Sequence, residues 1–226
     1  MPIDPVLQPL PFVPEISLFL EAGDVGLFDL TGGEFRSDEP PPFWAFAWAG
    51  GQALARHVLD HPGIVRDRRV LDLASGSGLV AIAAARAGAA EVRAVDVDPA
   101  ALAAVARNAA ANGVRVRPIL ADAAESLGEI KGKAGTPKTG TEMADADGAE
   151  VILAGDAFYS PAVAPRMARA LHRAGRSGAR VLVGDPGRGF LPEHLFARIA
   201  EYRVPVPESL EETNLLVTGV WEMRTT

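Results

Sequence analysis

The sequence predicts a doubly wound α/β fold: a seven-stranded sheet, parallel except for a last strand folded back antiparallel, with helices on both faces. Three observations carry that expectation. Val70 to Pro99, VLDLASGSGLVAIAAARAGAAEVRAVDVDP, runs from apolar strand through small-residue turn and helix into a second strand. Apolar runs at Val114 to Asp122, Val151 to Leu153 and Arg180 to Gly184 then alternate with helical stretches, the pattern of a parallel sheet. Two strand-like segments, Tyr202 to Val206 and Asn214 to Met223, close the chain, and the second alternates enough to fold back antiparallel.

The elements follow in order. Residues 1–47 read as an N-terminal arm or lid, in which Ile16 to Leu20 and Gly26 to Leu30 are expected to pair as a small hairpin. Pro40-Pro41-Pro42 forces an extended segment, and Phe43, Trp44, Phe46 and Trp48 follow it directly. A helix begins near Gly50, opening the main domain at 48–226. Trp48 leads into that Gly-Gly helix start and is expected to neighbour a ligand, while the other rings pack the arm.

Ser75-Gly76-Ser77-Gly78 lets the backbone turn tightly where side chains would block a ligand. The helix from Leu79 to Ala87 presents free N–H groups at its start and is capped by Gly88. Val92 to Val97 returns as the next strand, delivering Asp96 and Asp98 to the edge where open α/β sheets bind ligands. Pro99 opens a helix ending at Asn112-Gly113, and Val114 to Asp122 supplies the third strand. The polar, aperiodic stretch around 124–148 reads as an exposed insertion. Val151 to Leu153 carries Gly155-Asp156-Ala157-Phe158-Tyr159 to the ligand edge, and Met167, Ala170 and Leu171 mark the following helix. Arg180 to Gly184 ends in Asp185-Pro186-Gly187-Arg188; a helix is expected from Pro192 to Glu201, then a marginal strand limited by Pro205 and Pro207.

Composition narrows the functions. A chain of 226 residues, 48% hydrophobic and 23% charged, suits one folded domain. It has no span apolar enough for a bilayer and no secretion signal at its start, so the cytoplasm is the expected place. A monomer is the expected state. Zero cysteines exclude disulfides, thiolate metal sites and cysteine nucleophiles. His57 and His61 have metal-pair spacing but no third ligand, so no metal is expected and both are read as surface histidines near a helix end. A net charge of -7 argues against nucleic acid and suits a basic or lysine-bearing partner.

The ligand class is open between two ribose-bearing groups. Gly76, Gly78 and Ala81 fit the dinucleotide fingerprint, with Asp96 twenty residues beyond Gly76. Three features favour S-adenosylmethionine over NAD: Asp72 ahead of the turn, placed to receive an amino group; Asp122 ending the third strand; and the closing strand pair. The candidate cofactor contacts are Trp48, Asp72, Ser75, Gly76, Ser77, Gly78, Asp96, Val97, Asp98, Asp122, Ala123 and Gly155.

At this point the chain resembles the seven-strand, Rossmann-like class I S-adenosylmethionine methyltransferases, and within them the electron-transfer-flavoprotein β-subunit lysine methyltransferases and their bacterial relatives. The residues carrying the resemblance are Pro42 to Ala45, Trp48 to Leu54, Val70 to Gly78, Asp96 to Pro99, Gly155 to Tyr159, Gly184 to Arg188 and Val220-Trp221. It implies that Trp48, Asp72, Gly76, Gly78, Asp96, Asp122 and Gly155 surround the methyl donor. Asp156 and Tyr159 match the family's D-x-F-Y signature and are the implied catalytic residues, the acid facing the target amine. Ala74 departs from the glycine usual there, and the 124–148 insertion is a second departure. The implied activity is protein-lysine N-methylation, with the flavoprotein β-subunit as protein substrate. The alternative is a small-molecule N-methyltransferase taking a nicotinamide-like or amine substrate; a non-catalytic binding module and an NAD oxidoreductase are the readings outside that class.

Overall fold

The computed structural model describes residues 4–21, 41–122, 124, 148–211 and 213–224. An antiparallel hairpin of β1 (Val6–Pro9) and β2 (Ser17–Leu20) precedes the main sheet. The main sheet holds seven strands: β3 (Arg69–Leu73), β4 (Glu91–Asp96), β5 (Arg117–Leu120), β6 (Val151–Gly155), β7 (Arg180–Asp185), β8 (Phe196–Pro205) and β9 (Leu215–Met223). Their order is β5-β4-β3-β6-β7-β9-β8, and β9 runs antiparallel to both β7 and β8 and so against the other six strands. The expected doubly wound α/β class with an antiparallel last strand is therefore the observed one. Chain direction across the sheet reverses between β3 and β6, which opens a crevice at their carboxyl ends.

Strand residues alternate between two cores because both faces are covered. Val70, Val151, Leu153 and Leu182 pack toward α1 (Ala49–Asp60), α2 (Leu79–Arg86) and α3 (Pro99–Ala111). Leu71, Leu73, Ile152, Val181 and Val183 pack toward α4 (Ala164–Arg176), meeting Met167, Ala170 and Leu171. Each fully buried leucine or isoleucine contributes about 1.5–3 kcal/mol, so these central strands anchor the crevice above them.

The start of α1 lies directly on the ends of β6 and β7. A Cβ on Gly155 would stand 2.7 Å from Gly51 Cα, and one on Gly184 would fall on the Gly50 carbonyl oxygen. Gly50-Gly51, read from sequence as a helix start, is thus half of a four-glycine contact with the sheet.

Three expectations are corrected. The helix expected over Pro192 to Glu201 is a single 3-10 turn, Glu193–Leu195, followed by the ten-residue β8. Pairing with β9 along its length overrides the helix propensity of ARIAE, and a bulge between Arg198 and Ala200 hides the strand period. Phe196 before the bulge joins the α4-side core, whereas Val204 after it joins the opposite core. The hairpin partner of Ser17–Leu20 is Val6–Pro9; the expected partner, Gly26 to Leu30, lies outside the described residues. His57 is no surface histidine: it is 6% exposed, its Nδ1 lies 3.0 Å from Tyr202 Oη, and its ring stacks 4.4 Å from that of His61.

The hairpin docks on α2 and α3 through Leu10, Val13, Ile16, Leu18 and Leu20, which bury with Leu79, Ile82 and Ala109. Fully buried Asn108 joins it to the ligand turn: its Nδ2 donates to the Ser77 carbonyl at 2.8 Å, and its Oδ1 accepts from the Phe19 amide at 2.7 Å.

Candidate active site

Two strand-end acids each hold the start of a helix. Asp72, next to the end of β3, accepts the Ala81 N–H at 3.1 Å and so satisfies the third residue of α2. Asp156, just beyond β6, accepts the Gly51 N–H at 2.8 Å through Oδ2 and does the same for α1. Its own amide donates to the Gly184 carbonyl at 2.9 Å, and its backbone is left-handed, with φ 51°.

Burial dominates the electrostatics of both. It pushes the Asp72 carboxyl well above the usual carboxylate range, with the Asp96 charge adding to the effect. It pushes Asp156 up to about 7, against the opposing pull of the helix amides and Arg188. The Asp156 side chain is only 10% exposed, and its Oδ1 accepts no hydrogen bond among the described residues.

The turn between β3 and α2 folds onto β4. Ser75 donates to the Val95 carbonyl through its amide at 3.2 Å and its hydroxyl at 3.1 Å. Asp96 Oδ2 accepts the Gly76 N–H at 2.9 Å, and its Oδ1 accepts the Asp98 N–H at 3.0 Å. Burial raises Asp96 too. Beside it Val97 is 60% exposed, an apolar face at the sheet edge. Ala74 takes a left-handed φ of 52°, a conformation that favours the glycine the resemblance leads one to expect there.

The crevice is lined by Phe46, Trp48, Gly51, Asp72, Ala74 to Ser77, Leu79, Val80, Gly155 and Asp156. It therefore brings together Trp48, Asp72, Ser75, Gly76, Ser77, Gly155 and Asp156. Gly78 ends the turn as the left-handed residue before α2. Other expected residues are placed apart. Asp98 caps α3, accepting the Ala100 N–H at 2.8 Å. Asp122 is held by Arg166 Nη2 and the Ala124 amide, both at 2.8 Å. Ala123 lies outside the described residues. Tyr159 is 45% exposed with its ring 5.7 Å from Phe43; burial and the Asp96 and Asp122 charges raise its hydroxyl. A larger cavity of about 330 Å³ lies between the hairpin and residues 205–210 with Phe46 in its wall, and none of the expected donor contacts lines it.

Sequence reasoning missed a cation at this edge. Arg188 donates to Glu211 at 2.6 Å and sits 5.8 Å from the Trp48 ring. The signal was present in Gly184-Asp185-Pro186-Gly187-Arg188, a strand end followed by a tight turn; its partner Glu211 is 23 residues away and leaves no local trace.

Comparison with known proteins agrees with this geometry. The sequence model of the family "Ribosomal protein L11 methyltransferase (PrmA)" matches residues 54–134. The chain is 38% identical over 186 residues to the electron transfer flavoprotein beta subunit lysine methyltransferase of Rattus norvegicus, covering 80% of this chain and 66% of that protein. It is 37% identical over 185 residues to the Xenopus laevis protein of the same name, covering 80% of this chain and 68% of that one. The chain thus spans about two thirds of the length of these relatives. Among solved structures, a ribosomal protein L11 methylase from Lactobacillus delbrueckii subsp. bulgaricus superposes with a TM-score of 0.52 at 20% identity, covering 80% of this chain and 81% of that one. Magnesium protoporphyrin IX methyltransferase from Synechocystis PCC 6803, solved with bound S-adenosylmethionine, gives 0.50 at 16% identity over 78% and 80%. Both share the fold.

Proposed function

Because the chain belongs to the electron transfer flavoprotein beta subunit lysine methyltransferase family, we propose that it methylates a protein lysine from S-adenosylmethionine, with the flavoprotein beta subunit as acceptor. The observation that carries this reading is the meeting of Asp72 and Asp156 on one crevice, with Asp96 at the end of β4 holding the Gly76 amide of the turn that lines it. Buried acids of this kind suit a cationic ligand better than a pyrophosphate.

The residues present fit the donor. Asp96 stands where a ribose would be met, exposed Val97 offers an apolar face beside it, and Trp48 covers the crevice from the α1 side. Trp48, Asp72, Ser75 to Gly78, Asp96, Val97 and Gly155 would hold it. When bound, the donor supplies a methyl carbon activated by a sulfonium sulfur, which leaves with the bonding electron pair as an amine attacks.

The chain's own work is to bind and aim that amine. A lysine ammonium has no lone pair to attack with, so it must first lose a proton to water. Asp156 Oδ1 accepts no hydrogen bond among the described residues and lies at the edge of the donor crevice, so it can accept an amine N–H and orient the lone pair. A carboxylate raises the affinity for the ammonium form, so Asp156 positions rather than acts as a strong base. Tyr159 and Phe43 give the aliphatic stem of the lysine an aromatic wall.

The test is incubation with methyl-labelled donor and purified flavoprotein beta subunit, followed by peptide mass mapping. Label on a lysine supports the reading. Label absent from protein but present in the small-molecule fraction of a lysate would overturn it in favour of a small-molecule N-methyltransferase.

A further inference from the structure

The loop after β7 delivers a cation to the acid at the end of β6. Asp185 Oδ1 accepts the Gly187 N–H at 2.7 Å, folding a tight turn that presents Arg188. Arg188 donates to Glu211 from Nη2 at 2.6 Å and from Nη1 at 3.5 Å. The same Nη2 stands 3.6 Å from Asp156 Oδ1. That distance is too long for a hydrogen bond but within reach of a strong charge interaction at a largely buried site. The guanidinium therefore offsets the Asp156 charge without occupying its free acceptor.

We propose that Arg188 is a positioning residue for methyl transfer: clamped by Glu211, it favours the carboxylate form of Asp156 while leaving Oδ1 free of hydrogen bonds, and it disfavours a second cation there, so the neutral form of the target amine is favoured. The role rests on the lysine-methylation reading above. Other groups face Asp156 as well. The Gly50 and Gly51 amides at the start of α1 stabilise its charge, and Asp185 from β7 opposes it; Asp185 is itself faced by Arg188 and Glu193. Arg188 is faced by Glu211, Asp156 and Asp185.

The signs follow from these neighbours. Removing the Arg188 charge makes both Asp156 and a bound amine hold their protons to higher pH. Removing the Glu211 charge leaves Arg188 less compensated and moves both the other way.

The experiment measures the pH profile of kcat/KM on the flavoprotein beta subunit, together with the Asp156 carboxyl titration by carbon NMR in aspartate-labelled protein, assigned with Asp156→Asn. Arg188→Gln should move the rising limb and the titration alkaline by about one unit, losing about fivefold at pH 7 and recovering by pH 9. Arg188→Lys should restore most of the wild-type profile, and Glu211→Gln should shift it acidic. Where Arg188→Gln lowers thermal stability, Glu211→Gln still carries the test through its opposite sign. Methylation with a rising limb and Asp156 titration unmoved in both variants, or a loss uniform across pH, would overturn the role of Arg188 alone. Absence of any protein methylation by the wild type would overturn the functional reading and the role with it.

Discussion

The Asp156 carboxylate accepts the Gly51 amide at 2.8 Å, so the acid proposed to face the target amine also fastens the first turn of α1 to the end of β6. The two oxygens of this side chain differ: Oδ2 holds the helix, whereas Oδ1 accepts no hydrogen bond among the described residues and faces Arg188 Nη2 at 3.6 Å. The same arrangement at Asp72 and α2 makes the crevice a place where two helix starts and two strand ends are locked together.

Substitutions at Asp156 should separate these tasks. Asp156→Asn keeps an acceptor for Gly51 and should change stability by less than about 1 kcal/mol, whereas Asp156→Ala should cost about 1–2 kcal/mol by leaving the α1 amides unmet. Both should lower kcat/KM at least about 100-fold, because neither offers a carboxylate to the amine. Urea unfolding read beside methyl-transfer kinetics checks this; equal stability of the two variants would remove the helix-holding role.

Gly184→Ala should be costly although the change adds one methyl group. Its Cβ would fall on the Gly50 carbonyl oxygen, with Leu54 Cβ at 3.0 Å, so α1 must move off the sheet. A loss of about 2–3 kcal/mol is expected, with weaker S-adenosylhomocysteine binding because Trp48 moves with the helix. A stability within about 0.5 kcal/mol of wild type would show that the helix start yields freely.

Ala74→Gly should act in the opposite direction. Ala74 sits at φ 52°, where a Cβ is strained, and glycine relieves about 1 kcal/mol there while loosening the unfolded chain by somewhat less. A net gain of about 0.5 kcal/mol in urea unfolding is the expected result.

His57 gives a pH dependence with a definite sign. Burial, followed by the neighbouring His61 and Arg180 charges, holds its ring down to about 4, against an ordinary value of 6.5. The unfolded chain takes up this proton as pH falls below 6.5 and the folded chain does not, so the stability His57 contributes is present above pH 6.5 and is lost on the way to pH 4. Relative to His57→Gln, the wild type should lose up to about 3 kcal/mol of advantage between pH 7.5 and 4.5. The raised aspartates titrate in both proteins and cancel in the difference. Paired urea unfolding curves at the two pH values measure it; a constant difference would place the ring in contact with solvent.

What the sequence made legible was local or periodic. Val70 to Pro99 could be read because strand, turn, helix and strand follow without interruption, and the apolar runs of β6 and β7 are short and unmixed. Asp72, Gly76 and Asp96 were legible for the same reason, since strand length alone fixes where a strand-end residue arrives. What escaped depends on contacts distant in sequence. The bulge at Arg198 to Ala200 shifts the strand period by one, so β8 looked helical until β9 paired with it. Asp156 was expected to face the ligand edge, but its bond to a helix 105 residues earlier has no sequence signature. The Arg188–Glu211 clamp and the Asn108 link between hairpin and turn are hidden for the same reason.

Calorimetric titration with S-adenosylhomocysteine and with NAD, on the wild type and on Asp96→Asn, tests most directly whether the strand-end acids build a sulfonium-donor site. The wild type should bind S-adenosylhomocysteine and not NAD, and Asp96→Asn should weaken that binding by at least about tenfold, 1.4 kcal/mol. NAD binding without S-adenosylhomocysteine binding, or an affinity unchanged in Asp96→Asn, would contradict it.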